Sequence, residues 1–244
     1  MPARNYRCLY RQKDLVHFQV VVKETDLDIG VSQKCFSPKL ANWVFHLVRN
    51  CRTPLEEYIK KDLLFYKTLS PYNPLPDAPP LVYKMALAAG KANVGPMAAV
   101  AGAIAEEIGQ ALLKRSKEVI VENGGDIFLR TTCRRQIGIF AGPSPFSYRL
   151  ALEIIPEGTP LGICTSSGTV GHSLSFGKAD AVVILSPSAA LADAVATAAG
   201  NLVQNEADLQ KAVNFAASIP EVTGALAIKG DRLAAWGRVK MKPL

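Results

Sequence analysis

Apolar positions recur along the chain in short runs of two kinds, and each kind predicts its own elements. Arg7 to Tyr10 and Val16 to Val22 read as strands of a hairpin spanning Tyr6 to Ile29, divided by the polar turn at Gln12 to Asp14. Leu40, Val44, Leu47 and Val48 return at helical spacing behind Ser37-Pro38, which predicts a helix starting there. Thr53-Pro54-Leu55-Glu56 has the form of a capping box, with Thr53 at the N-cap and Glu56 at N3, and predicts a second helix. Five prolines, at 71, 74, 76, 79 and 80, then break the pattern. With so little chain before them they mark an internal crossover, not a domain boundary.

A small-residue helix is predicted from Pro96 to Leu113, followed by strands at Glu118 to Glu122 and Ile127 to Arg130 around the tight turn Asn123-Gly124-Gly125-Asp126. Strands at Ile137 to Phe140 and Tyr148 to Ile155 come next. An apolar run ending at Cys164 leads into a hydroxyl- and glycine-rich loop, Thr165 to Gly177, and then into a buried strand, Ala181 to Leu185. Ser186 as N-cap and Pro187 at N1 predict a second alanine-rich helix. A helix over Glu206 to Ser218 and a hairpin turning at Lys229-Gly230-Asp231 close the chain.

The two alanine-rich helices align without a gap, Pro96 to Ala105 on Pro187 to Ala196, and each is later followed by a strand, a Gly-Asp turn and another strand. The expectation is one domain, 1–244, built as an internal duplication with halves of roughly 1–133 and 134–244. The fold class is α+β: antiparallel sheet packed with small-residue helices. Where the second helix carries Asp193 and Thr197, the first carries Gly102 and Glu106. The copies thus share packing positions and differ in polar ones.

Composition narrows the function. The net charge of +7 comes from dispersed Lys and Arg, without a basic run or interleaved aromatics, and so points to a small anionic ligand and not to nucleic acid. Five scattered cysteines with no C-x-x-C pair give no zinc site or disulfide framework and are expected to be reduced. No run is long enough to span a bilayer, and the chain reads as a cytoplasmic protein without a membrane partner. Self-association into a homo-oligomer is left open.

The turn holding Gly124, Gly125 and Asp126 reads either as a bare hairpin turn or as a place where a bulky ligand meets the backbone and donates to Asp126. Thr165, Ser166, Ser167, Gly168 and Thr169 form either a turn that satisfies its own backbone or a cradle of N–H groups for phosphate. His172, a loop histidine, is a candidate general acid or base or a phosphate contact. Cys164 is either a buried small apolar residue or a reactive thiol. Asp193 and Thr197 lie four apart, so their oxygens share one helical face, where Mg²⁺ is a suitable partner.

The order of these motifs resembles the ApbE superfamily, whose best-known members are FAD:protein FMN transferases. Asn-Gly-Gly-Asp-Ile at 123–127 comes first, then Thr-Ser-Ser-Gly at 165–168, then Ala-Asp-Ala-Val-Ala-Thr at 192–197, over roughly residues 85–203. The run from Cys164 to Asp180 is most similar to a short cytoplasmic branch of ApbE-like proteins linked to sulfide assimilation and homocysteine formation. The resemblance implies an α+β fold of two related halves. It also implies an FAD or FMN site lined by Gly124, Gly125 and Asp126, and Mg²⁺ held by Asp193 and Thr197. Two motifs depart from the transferases. His172-Ser-Leu-Ser-Phe-Gly stands where they carry a His followed by Asp-Pro-x-Thr-Gly, and Val94-Gly95-Pro96-Met97 stands where they carry Lys-Gly. Three readings follow: a Mg²⁺-assisted transferase on a flavin or nucleotide, a sulfur-handling protein using Cys164 and His172, and a non-catalytic binding scaffold.

Overall fold

The structure is a computed structural model and describes residues 5–168 and 175–244. The first element is a short 3₁₀ turn, Asn5–Leu9, where alternation had suggested a strand. The reason lies in its polar residues: Arg7 and Tyr10 both reach buried Glu122, and residues three apart share a side in a helical turn but not in a strand. The hairpin is formed by β1 (Leu15–Val22) and β2 (Thr25–Ser32), turning at Lys23, whose φ is 53°.

Helix α1 (Pro38–Lys61) begins as expected, with Ser37 Oγ accepting from Leu40 N at 3.1 Å, but continues through Pro54. The capping-box residues therefore start no helix. Leu55 and Tyr58 extend the buried stripe of Leu40, Val44 and Val48, and that burial outweighs the hydrogen bond lost at the proline. Short helix α2 (Leu63–Lys67) is capped by Asp62, which also accepts from Tyr58 and Tyr72 and so pins the proline-rich crossover. Helix α3 (Pro80–Lys91) falls where the prolines suggested only linker; Pro80 occupies the first helical position, where a missing N–H costs nothing. A 3₁₀ turn, Pro96–Ala99, then enters α4 (Val100–Leu113).

The remaining elements are β3 (Val119–Asn123), β4 (Asp126–Arg130), β5 (Arg135–Gly138), β6 (Leu150–Ile154), β7 (Leu161–Ser166) and β8 (Ala181–Ser186). After them come α5 (Ala189–Asn201), α6 (Leu209–Ala217), β9 (Gly224–Lys229), β10 (Arg232–Gly237) and β11 (Met241–Pro243). The N-cap of α5 is Ser188, not Ser186, because Ser186 stays in the ladder opposite Gly162.

Eight strands form one antiparallel sheet in the order β1-β2-β3-β4-β7-β8-β9-β10, and β11-β6-β5 form a second, smaller sheet. The helices cover one face of the large sheet, where Val121, Phe128, Cys164, Val182 and Ile184 point. Ile120, Ile127, Leu129, Ile163, Val183 and Leu185 point the other way, onto Ile137, Leu152 and Ile154 of the small sheet. Central strands buried on both faces explain the unbroken apolar run at Ala181 to Leu185, where a one-sided sheet would alternate. No helix among the described residues is long and apolar enough to cross a membrane.

Candidate functional site

The Gly124–Gly125 turn joins β3 to β4 with φ of +70° and +107°, a conformation that only glycine adopts without strain. A side chain at Gly124 would meet open space, and one at Gly125 would come no closer than 3.7 Å to Thr165 O. Backbone conformation, not crowding, therefore requires these glycines, and no described residue crowds the outer side of the turn. Two side chains fix the turn from within: Glu122 Oε1 accepts from Gly125 N at 2.9 Å, and Asn123 Nδ2 donates to Ala101 O at 3.1 Å. Asp126 follows as the first residue of β4. The register pairs Ile127 with Ile163, which brings buried Asp126 level with Cys164 on β7.

Over this corner α4 and α5 cross in contact. A Cβ at Gly102 would lie 2.3 Å from Ala189 O and 2.7 Å from Asp193 Cβ, so glycine is what lets the helices meet. At the crossing each helix caps the other. Asp193 Oδ2 accepts from Gly102 N at 2.8 Å in the first turn of α4, whose own N-cap, Ala99, has no side chain to offer. Glu106 Oε2 of α4 accepts from Ala190 N at 3.2 Å and from Ser188 Oγ at 2.9 Å at the start of α5, while Lys84 neutralises its other oxygen at 3.2 Å. A carboxylate near each N-terminus also matches the helix dipole.

The electrostatics of the corner are unfavourable to its own charges. Burial pushes the Asp126 carboxyl well above the usual range, and the Asp193 charge adds to the effect; the Cys164 thiol and the Thr165 backbone offset part of it. Asp126 Oδ1 is buried with no hydrogen-bond partner among the described residues. Asp193 is pushed up to about 7 by burial, against the opposing hydrogen bonds from Gly102 and Ala101. Cys164 is fully buried, its Sγ donates to Ala189 O at 3.3 Å, and burial with both carboxylates holds the thiol well above its ordinary value. A nucleophilic thiolate needs the opposite surroundings, electropositive and accessible.

The other sequence candidates surround this corner to different degrees. Thr165, Ser166 and Ser167 are partly exposed at the end of β7, and Gly168 N donates to Ala179 O at 2.9 Å. Ser166 Oγ would lie 3.3 Å from a Cβ on Gly200, so this strand end runs beside the last turns of α5. Thr197 stands one turn beyond Asp193, also partly exposed. Thr169 and His172 lie outside the described residues. Glu106 and Glu122, which hold the helices and the turn, were not singled out from sequence as site residues. Glu106 carried a signal, since it interrupts the alanine-rich run at 98–105; Glu122, inside a strand, carried none.

Among the described residues no three His, Cys, Asp or Glu side chains form a metal cage. The chemistry open to the corner is that of two hard carboxylates, hydroxyls and an accessible backbone turn: holding a cation that is shared with an anionic ligand.

Comparisons with known proteins agree with this architecture. The model of a family described as AbpE bacteria matches residues 7–223. A UPF0280 protein of Methanocella arvoryzae is 43% identical over 219 residues, covering 89% of this chain and 87% of its own. A UPF0280 protein of Methanothrix thermoacetophila is 48% identical over 190 residues, covering 77% and 79%. Among solved structures, the flavinyl transferase ApbE of Pseudomonas stutzeri, in its apo form, superposes with a TM-score of 0.56 at 12% identity, covering 91% of this chain and 94% of its own. The ApbE protein of Thermotoga maritima gives 0.53 at 12% identity, covering 90% and 96%. At such low identity these two structures show a shared fold alone.

Proposed function

The chain belongs to the AbpE bacteria family, within the ApbE-like superfamily, and from that premise we propose that it binds a flavin- or nucleotide-type ligand through its phosphates, assisted by Mg²⁺. The binding corner is where the Gly124–Gly125 turn, the end of β7 and α5 come together. The observation that carries this reading is Asp126 Oδ1, a buried carboxylate oxygen without a partner among the described residues, beside a second carboxylate whose charge opposes it. Native structures leave few such atoms unpaired, and an added cation is the simplest partner for this one. Mg²⁺ suits the donor set, because it is commonly held by one or two carboxylates with water and phosphate oxygens completing the shell. When bound, it would neutralise Asp126 and Asp193 and offset the charge of the phosphates.

In this reading Asp126, Asp193 and Thr197 hold the cation. Thr165, Ser166, Ser167, Gly168 and Thr169 offer N–H and hydroxyl donors to the phosphates, and Gly124 and Gly125 leave room for the rest of the ligand. His172 is the residue to serve as general acid or base. The flavin class is supported by the fold shared with the flavinyl transferase of Pseudomonas stutzeri. Cys164 serves packing in this account, because its burial and raised thiol disfavour a sulfur-transfer role. Cysteine thiols held outside any disulfide support a reducing, cytoplasmic setting.

Calorimetric titration of the purified chain with FAD, FMN and ADP, each with Mg²⁺ and with EDTA, tests the reading. At least one of the three is expected to bind, with affinity falling at least about tenfold when the metal is removed. Binding of none, or binding indifferent to the metal, would overturn it.

A further inference from the structure

Strand β10 ends the large sheet, and no described strand lies beyond it. Natural edge strands are usually guarded by lysine, proline or a bulge, since their free N–H and C=O groups recruit other strands. Between Arg232 and Gly237, β10 reads Leu-Ala-Ala-Trp and carries no guard of this kind. Leu233 and Trp236 are 36% and 41% exposed.

The hairpin settles which groups of β10 are free. Lys229 and Arg232 close the two-residue turn Gly230–Asp231, and such a closing pair exchanges its backbone hydrogen bonds. Alternation then turns Arg232, Ala234 and Trp236 toward β9 in their backbone bonding, and leaves Leu233 and Ala235 with N–H and C=O pointing outward. The side chains sort by face. Ala234 packs on the helix-side core, so Arg232 and Trp236 share that face, and Leu233 and Ala235 take the other. Between α6 and the free edge of β10 lies an open hollow of about 400 Å³ lined by Glu206, Leu209, Gln210, Arg232 and Ala234 from the helix side and reached by Leu233 at the edge.

We propose that β10 pairs with β10 of a second copy of this chain, antiparallel about Ala234, and joins two large sheets into one. A two-fold axis normal to the sheet keeps each face on its own side, so residues that face each other must share a face, and the centre must fall on a residue. Centring on Ala234 sets the outward backbone groups of Leu233 against those of the partner's Ala235, and the reverse. It also sets Arg232 against the partner's Trp236 twice, a cross-strand cation–π pair. The partner's indole then enters the hollow beside α6, where Glu206 and Gln210 offer acceptors to its N–H. Centring on Ala235 would instead oppose Arg232 and the partner's Arg238, two like charges. The strand thus selects one register by its own side chains.

Sedimentation of the full chain across micromolar concentrations is expected to give a reversible monomer–dimer equilibrium. Trp236→Arg should move the midpoint to at least about tenfold higher concentration, and Arg232→Glu combined with Trp236→Arg should restore it through an opposite-charge pair. Hydrogen exchange on the unmodified chain asks the same question without a variant. The Leu233 and Ala235 amides should gain protection as concentration rises, while those of Ala234 and Trp236, bonded to β9, stay protected throughout. A chain that remains monomeric, a dimer indifferent to these substitutions, or Leu233 and Ala235 amides whose exchange ignores concentration would overturn the proposal.

Discussion

Asp126→Asn keeps the shape of a buried side chain and removes its charge, and it should make the metal-free protein more stable. Both carboxyls of the corner are pushed upward, Asp193 from 3.8 to about 7 and Asp126 in the same direction. An acid whose folded value lies above its unfolded one takes up protons on folding, so its contribution to stability is lost as pH rises between the two values. The relief is felt at Asp126 itself, where a buried polar group left unsatisfied costs about 1–3 kcal/mol, and more when charged. Part of that cost is shared with Asp193, and the asparagine must still find an acceptor for its amide. The expected gain is therefore about 1–3 kcal/mol at pH 8, a rise in Tm of about 3–10 °C for a chain of this size. Thermal melts of both proteins in EDTA at pH 8 and pH 4 provide the assay. The gain should shrink toward zero at pH 4, where the unsubstituted corner is already protonated. Destabilisation at pH 8, or a gain of equal size at both pH values, would refute the reasoning.

Three further outcomes follow from the helix crossing and the thiols. Gly102→Ala would drive a methyl into Ala189 O and Asp193, and should cost at least about 2 kcal/mol in denaturant unfolding while weakening any metal-dependent binding. Glu106→Ala removes the acceptor for Ala190 N and Ser188 Oγ at the start of α5 and one of the two carboxylates paired with Lys84; it should lower stability by about 1–2 kcal/mol, with Glu106→Gln losing less, as read from the same unfolding curves. Thiol titration of the native protein should label exposed Cys8 and Cys133 readily and Cys164 only after unfolding; rapid native labelling of Cys164 would reopen a reactive role for it.

The sequence revealed elements whose pattern depends on local periodicity and hid those that depend on a distant partner. The Gly124–Gly125 turn, the buried strand at 181–185, the small-residue helices and the closing hairpin all carry their signal within a few residues. The 3₁₀ turn at Asn5–Leu9 did not, because its reason is Glu122, more than a hundred positions away. Prolines misled twice: Pro54 is carried inside α1 by apolar burial on both sides of it, and Pro80 opens α3, at the position where its missing N–H costs nothing, within a stretch that reads as linker. Asp193 was legible as a polar interruption of an apolar helix. Its cap on α4 was not, since Gly102 gives no sign of a helix N-terminus awaiting a carboxylate. The gapless match sets Gly102 level with Asp193, and these two residues meet at the crossing. We propose that the duplication behind the match is carried by the blocks β1–β4 and β7–β10, each two hairpins separated by helices.

The claim that Asp126 and Asp193 share a cation is tested most directly by titrating the chain with Mn²⁺ and following the free ion by electron paramagnetic resonance, in the presence and absence of ADP. The expected result is a bound ion that Mg²⁺ displaces and ADP tightens, lost in Asp126→Asn although that variant melts higher. Mn²⁺ held equally well by Asp126→Asn, or not held by the unmodified chain with or without ADP, would contradict it.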